Sequence, residues 1–324
     1  MIYKILNNFF LNIWYSKSLI YTFISFIFLP FSIIYYIVFN IKNFFQKQYH
    51  FNIPIICIGN LVVGGSGKTS VALSIIKMLP DKKIVVLLKG YKGKLKGTIK
   101  VDQDKHLSID VGDEALLYSN KVTTFICSNR KDAIDEIIEN ENPDLIILDD
   151  GLQDNSIYKT KCVVTINGRR GFGNKFLLPA GPLRERILPV LLKDYIFLII
   201  GHDKTKISSN LKNSFFKAEI LSEIDGNDRS IIAFSGIADN DNFFKTLENY
   251  RFKLTKKFSY PDHYNYSSSE IKNIINEANK NNNEIYTTSK DWVRLSDNQK
   301  KFIKQFPIDL DIKNKEVFIE KILK

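Results

Sequence analysis

Gly59-Asn60-Leu61-Val62-Val63-Gly64-Gly65-Ser66-Gly67-Lys68-Thr69-Ser70 lies between an apolar run at 53–58 and an apolar helical stretch at 71–79. Strand, glycine-rich loop and helix in that order build a phosphate cradle, in which backbone N–H groups and the helix N-terminus converge on nucleotide phosphate oxygens. The spacing assigns Gly64, Gly65, Ser66, Gly67, Lys68, Thr69 and Ser70 to the cradle. The Lys68 ammonium would neutralise the β- and γ-oxygens of ATP, and the Thr69 hydroxyl would hold Mg2+. Val62 stands where the usual P-loop pattern has its first glycine, so the match rests on Gly64 through Thr69. A plain glycine turn rarely ends in Gly-Lys-Thr at the mouth of a helix.

Outward from this loop, short apolar runs at 84–88, 123–127, 145–148, 162–166 and 195–200 read as strands. Between two of them, 130–140 places Ala133, Ile134, Ile137 and Ile138 along one helical face. Such alternation predicts an α/β fold, a P-loop NTPase-like, mainly parallel sheet with flanking helices. From about residue 230 the chain reads as a smaller C-terminal α/β portion with helices near 242–249 and 268–280. The expected division is 1–48 for membrane attachment, 49–229 for the nucleotide-binding core and 230–324 for the smaller domain. The run Pro143-Asp144-Leu145-Ile146-Ile147-Leu148-Asp149-Asp150 ends in paired carboxylates. An apolar strand ending in acids is common, but beside a P-loop it marks where Mg2+ is ordered, directly or through water.

The first fifty residues differ from the rest. No charged residue occurs from 19 to 41, a stretch about as long as a bilayer-crossing helix. Lys4, Lys17, Lys42 and Lys47 flank it, and no acidic residue appears before Asp81, so the region is drawn to an anionic leaflet. The run is long for a signal peptide's apolar core, and no small-residue cleavage site follows. Pro30 would kink a helix here, which fits both a span and a segment lying in the interface. The 324-residue chain carries a formal charge of +11, which suits anionic partners without choosing among them. Neither an RNA-binding signature nor a basic-aromatic stripe appears, so nucleic acid is not expected. Cys57, Cys127 and Cys162 each lie in an apolar run, which predicts buried free thiols and a reducing, cytoplasmic setting.

A series of further segments resembles one family. Gly59 through Thr69 is followed in order by Leu88-Lys89-Gly90-Tyr91, Val111-Gly112-Asp113-Glu114 and Leu148-Asp149-Asp150-Gly151-Leu152-Gln153. Then come Gly173 and Leu177-Leu178-Pro179-Ala180-Gly181-Pro182-Leu183-Arg184-Glu185, Phe234-Ser235-Gly236-Ile237, Tyr260-Pro261-Asp262-His263 and Thr287-Thr288-Ser289-Lys290-Asp291. Together they resemble the lipid A 4′-kinase (tetraacyldisaccharide 4′-kinase) family over nearly the whole chain, most specifically in the 177–185 segment. Leu88-Lys89 stands where that family has Ser-Arg, and Asp154 where it has His.

The resemblance implies transfer of the ATP γ-phosphate to the 4′-hydroxyl of a tetraacylated glucosamine disaccharide 1-phosphate, giving lipid IVA at the cytoplasmic face of the inner membrane. A multiply acylated glycolipid stays in the bilayer, which agrees with the apolar N-terminal segment and the basic chain. By resemblance, Asp113 with His263 would accept the hydroxyl proton and Glu185 would join Thr69, Asp149 or Asp150 at the metal. Lys89, Glu114, Arg169 in the Gly168–Gly173 loop, and Arg184 are candidate contacts to substrate or phosphate. The lysines of 89–100 could meet lipid head groups or simply be solvated. No protein partner is indicated. A membrane-associated P-loop ATPase or GTPase with another acceptor is the rival reading, although Ser289-Lys290-Asp291 does not reproduce the base-reading spacing of a GTPase.

Overall fold

The computed structural model describes residues 2–187, 195–211 and 215–324. In chain order its strands are β1 (Ile55–Gly59), β2 (Ile84–Leu88), β3 (Ile99–Lys100), β4 (Thr123–Ile126), β5 (Leu145–Asp149), β6 (Lys161–Asn167) and β7 (Tyr195–Ile200). They continue with β8 (Phe215–Leu221), β9 (Ser230–Ser235), β10 (Lys253–Ser259), β11 (Glu284–Thr288), β12 (Ile303–Phe306) and β13 (Asp309–Ile312). A nine-stranded sheet runs β13-β8-β7-β6-β1-β5-β2-β4-β3, and a four-stranded sheet runs β10-β9-β11-β12. Among the strands of the described residues, only β13 with β8 and β3 with β4 pair antiparallel. The smaller sheet is wholly parallel.

Every residue of β1, β2 and β5 is buried, as parallel strands covered on both faces require. One face packs with Ile75, Tyr118 and Phe318, the other with Ile134, Ile137 and Leu152. In the β1–β5 register Ile58 lies beside Asp149, so the glycine loop and the carboxylate pair leave the sheet side by side. This carboxyl edge is where open α/β sheets bind ligands.

Within 230–324, β9 to β12 form the smaller sheet, while the last two elements of the chain do not join it. β13 and the terminal helix Lys315–Leu323 return to the large sheet, because Ile312, Phe318 and Ile322 complete its core.

At the N-terminus two helices pack against each other, α1 (Ile2–Tyr15) and α2 (Leu19–Phe45). The apolar segment thus extends past residue 41 and includes Pro30 within the helix. With mean hydropathy 2.1 over its most apolar window, α2 is long and apolar enough to cross a membrane. Its middle is nonetheless bonded to the body. Ser32 Oγ donates to Leu177 O at 2.8 Å and accepts from Ala180 N at 3.1 Å. Tyr35 Oη donates to Arg184 O at 2.7 Å, and Trp14 Nε1 on α1 donates to Pro179 O at 2.9 Å. Away from that contact, Phe23, Ile27, Phe31, Ile34, Val38 and Ile41 are exposed.

Candidate active site

The glycine loop closes onto α3 (Lys68–Met78), whose first residue is the P-loop lysine. Gly67 caps that helix at φ 81, a left-handed conformation that favours glycine, and a Cβ there would have to push aside the tip of Ile200, 2.6 Å away. Val63 N donates to Pro182 O and Arg184 N to Leu61 O, both at 2.8 Å, which stitches the 177–185 segment along the loop. Ser66 Oγ lies 2.8 Å from Thr165 Oγ1, which itself donates to Gly59 O at 3.2 Å. Lys68 Nζ stands 3.4 Å from Asn60 Oδ1 and 3.8 Å from Asp150 Oδ1. Arg184 Nη1 reaches the same Asp150 oxygen at 2.7 Å. Burial works to raise the Asp150 carboxyl, but Lys68 and Arg184 hold it below the ordinary value.

Asp149, its neighbour, behaves oppositely. Burial pushes its carboxyl up to about 6, against the opposing charge of Lys68. Tyr118 Oη donates to Asp149 Oδ2 at 2.8 Å, while the buried Oδ1 has no hydrogen-bond partner among the described residues. A buried acceptor without a donor is costly in a closed core, and at this strand end it suits a cation.

Gly112 precedes Asp113 at φ 91, and a Cβ there would meet Tyr91 O at 2.8 Å. This close approach seats the 88–91 segment against the start of helix Asp113–Ser119. His263 Nδ1 lies 2.7 Å from Asp113 Oδ2, and Tyr91 packs edge-on to the imidazole. Although burial opposes it, hydrogen bonds from His263 and Arg294 hold the Asp113 carboxyl below its usual value. An ionised carboxylate only accepts, so His263 donates through Nδ1–H. Lys290 Nζ pairs with Glu114 Oε1 at 2.6 Å. Asp113, Glu114 and His263 are, among the described residues, the group of acids and histidines whose ligand atoms gather within 4.8 Å.

The other candidates are more scattered. Glu185 Oε1 accepts from Gln153 Nε2 at 2.8 Å, with burial raising its carboxyl, and it does not gather with Asp149 and Asp150. Arg169 pairs with Asp239, the residue capping helix Asn240–Asn249 of the smaller sheet. Ala238 next to it lies against Gly65, so the Gly168–Gly173 loop and the smaller sheet both border the P-loop. Lys89 is 3.8 Å from Asp154 Oδ2. Sequence reasoning passed over Tyr118, Lys290 and Arg294. The i, i+3 spacing of Asp291 and Arg294 was the available signal for the last of these.

A nucleotide cradle alone is compatible with hydrolysis, and beside it the His263–Asp113 pair sits on the helix that also carries Tyr118 to Asp149. Fold and site together place the molecule among the P-loop phosphotransferases. The chain belongs to the tetraacyldisaccharide-1-P 4'-kinase family, whose model matches residues 24–324. It is similar to the tetraacyldisaccharide 4'-kinase of Rickettsia typhi, 32% identical over 318 residues, covering 96% of this chain and 97% of that one. The tetraacyldisaccharide 4'-kinase of Rickettsia felis is likewise 32% identical, with coverage of 96% and 95%. The crystal structure of LpxK from Aquifex aeolicus in complex with ATP superimposes with a TM-score of 0.73 at 26% identity, over 93% of this chain and 98% of that one.

Proposed function

We propose that this kinase transfers the γ-phosphate of ATP to the 4′-hydroxyl of a tetraacylated glucosamine disaccharide 1-phosphate, yielding lipid IVA and ADP. The observation carrying the reading is the Asp113–His263 hydrogen bond of 2.7 Å at the edge of the P-loop, in a chain of this family. Asp113 accepts the proton of the attacking hydroxyl while the Nδ1–H of His263 orients its carboxylate, which frees the oxygen to bond the γ-phosphorus. Lys68 and the loop amides neutralise charge on the transferring group as the bond to the β-phosphate oxygen breaks. Arg184, already drawn to Asp150, meets phosphate charge at the same mouth.

Thr69, Asp149 and Asp150 would hold Mg2+, and the partnerless Asp149 Oδ1 supports that assignment. When bound, the ion would offset the charge that develops on the transferring phosphoryl group.

The bonds from Ser32 and Tyr35 to the body support an α2 that lies in the interface of the cytoplasmic leaflet with its outer face in acyl chains. The decisive experiment incubates purified protein with γ-labelled ATP and a panel of glycolipids, sugars and water alone. Label on the glycolipid 4′-position is expected. Release as free phosphate, independent of lipid, would overturn the reading.

A further inference from the structure

Arg294 takes no part in the chemistry described above, yet its side chain is only 3% exposed and is forked between two carboxylates. Nη2 donates to Asp113 Oδ2 at 2.5 Å, and Nη1 donates to Asp291 Oδ1 at 2.8 Å. Asp291 is fully buried and firmly held by the N–H of Gly236, by Tyr266 Oη at 2.7 Å and by Thr288 Oγ1 at 2.6 Å. A continuous chain of charge-assisted bonds therefore runs from the smaller sheet through Asp291 and Arg294 to Asp113.

The hydrogen bonds that the described residues make to the Asp113 side chain end on one oxygen. His263 and Arg294 both use Oδ2. Oδ1 is thereby left for an incoming hydroxyl. Stability alone is a poor reason for this arginine. A buried ion pair often adds little, and Arg294 Nε is buried with no hydrogen-bond partner among the described residues.

We propose that Arg294 is the positioning residue of the Asp113 base, clamping Oδ2 so that Oδ1 faces the acceptor hydroxyl. The proposal rests on the reading of Asp113 as the base. Its planar fork can serve Asp291 and Asp113 together, whereas a lysine at this site offers one point charge.

The test is a mutant cycle on the full-length protein, with Arg294→Lys, Arg294→Met, Asp113→Asn and the Arg294→Lys/Asp113→Asn double, each assayed against ATP and glycolipid. Arg294→Lys should lower kcat about 10-fold or more with KM for ATP within about twofold, because a misplaced base costs rate rather than nucleotide binding. Arg294→Met should be worse, with Lys as the partial rescue. In the Asp113→Asn background Arg294→Lys should cause no further loss. Wild-type kcat in Arg294→Lys overturns the proposal, and so do losses that multiply in the double, as for a purely structural residue. If Arg294→Met fails to fold, the Lys variant and its cycle still decide. Normal kcat in Asp113→Asn itself would remove the base reading, and the proposal with it. An impaired Asp113→Asn with an independent Arg294 effect removes only the proposal.

Discussion

Lys89 Nζ stands 3.8 Å from Asp154 Oδ2, so the segment that follows β2 and the loop that follows β5 meet in space. Asp154 also takes Arg130 Nη1 at 2.5 Å and Gln46 Nε2 at 2.9 Å. Arg130, with a side chain 2% exposed, in turn donates to Asp150 O at 3.0 Å. Burial tends to raise the Asp154 carboxyl, but hydrogen bonds from Ser156 and the charge of Arg130 hold it far below the carboxylate range. Asp154→Ala strands a buried cation, and we expect a loss of about 3–5 kcal/mol in unfolding free energy. Chemical denaturation measures it, and a change under about 1 kcal/mol would show that solvent or Lys89 rearrangement relieves Arg130.

Asp113 and His263 should behave as one unit in kinetics. Loss of a general base typically costs about 10²- to 10⁴-fold in rate, and members of a unit are non-additive. Asp113→Asn and His263→Ala should each lower kcat in that range with little change in KM for ATP. The double variant should be little worse than the poorer single one. Additive losses would mean the two residues serve separate steps.

Asp149 gives a pH-dependent stability in the protein free of Mg2+ and nucleotide. Its folded carboxyl titrates at about 6 because of burial, whereas an unfolded aspartate titrates near 3.9. The folded state therefore holds the extra proton between about pH 4 and 6, and stability falls as pH rises through that window before levelling off. Asp149→Asn removes the buried charge while keeping an acceptor for Tyr118. Above pH 6 it should stabilise the metal-free protein by roughly 1–3 kcal/mol and flatten the dependence of Tm on pH. Mg2+-ATP binding should weaken in the same variant. Identical Tm profiles for variant and wild type between pH 4 and 7 would contradict the argument.

The outer face of α2 can be tested without disturbing its inner one. Ile27 and Ile34 are 56% and 58% exposed, one heptad apart, while Ser25 and Ser32 face the body. Ile27→Glu/Ile34→Glu should cut binding to anionic vesicles at least about 10-fold and raise KM for glycolipid, with KM for ATP within about twofold. Vesicle sedimentation and paired kinetics read both effects. Unchanged sedimentation would place the attachment on another surface, the lysines of 89–100 being the next to examine.

Much of the nucleotide half was legible because its physics is local. β2 at Ile84–Leu88 and β7 at Tyr195–Ile200 were bounded correctly by unbroken apolar runs, and a helix expected near 268–280 spans Ser268–Lys280. β1 begins at Ile55 rather than 53, since Ile53 and Pro54 lie outside the pairing register with β5 and β6. The return of β13 to the large sheet was not legible. Leu310 and Ile312 alternate with aspartates as an edge strand of either sheet would, and only the partner β8 decides. At the site, loop and strand-end residues announced themselves by spacing, whereas Arg294 and Lys290 make their contacts across more than half the length of the chain. Cys57 and Cys162 are register partners on neighbouring strands and remain free thiols.

Arg184 joins two parts of the molecule that have different environments. Its carbonyl accepts from Tyr35 of α2 while its guanidinium holds Asp150 beside Lys68. If α2 rests on a membrane as proposed, the reaction centre is held at one height and tilt above it, and the enzyme would search for its acceptor in two dimensions. Encounter then depends on the mole fraction of acceptor in the leaflet rather than on its amount per volume of suspension. Adding inert phospholipid at constant acceptor would slow turnover by surface dilution, and adding buffer at constant composition would leave the rate of the bound enzyme unchanged.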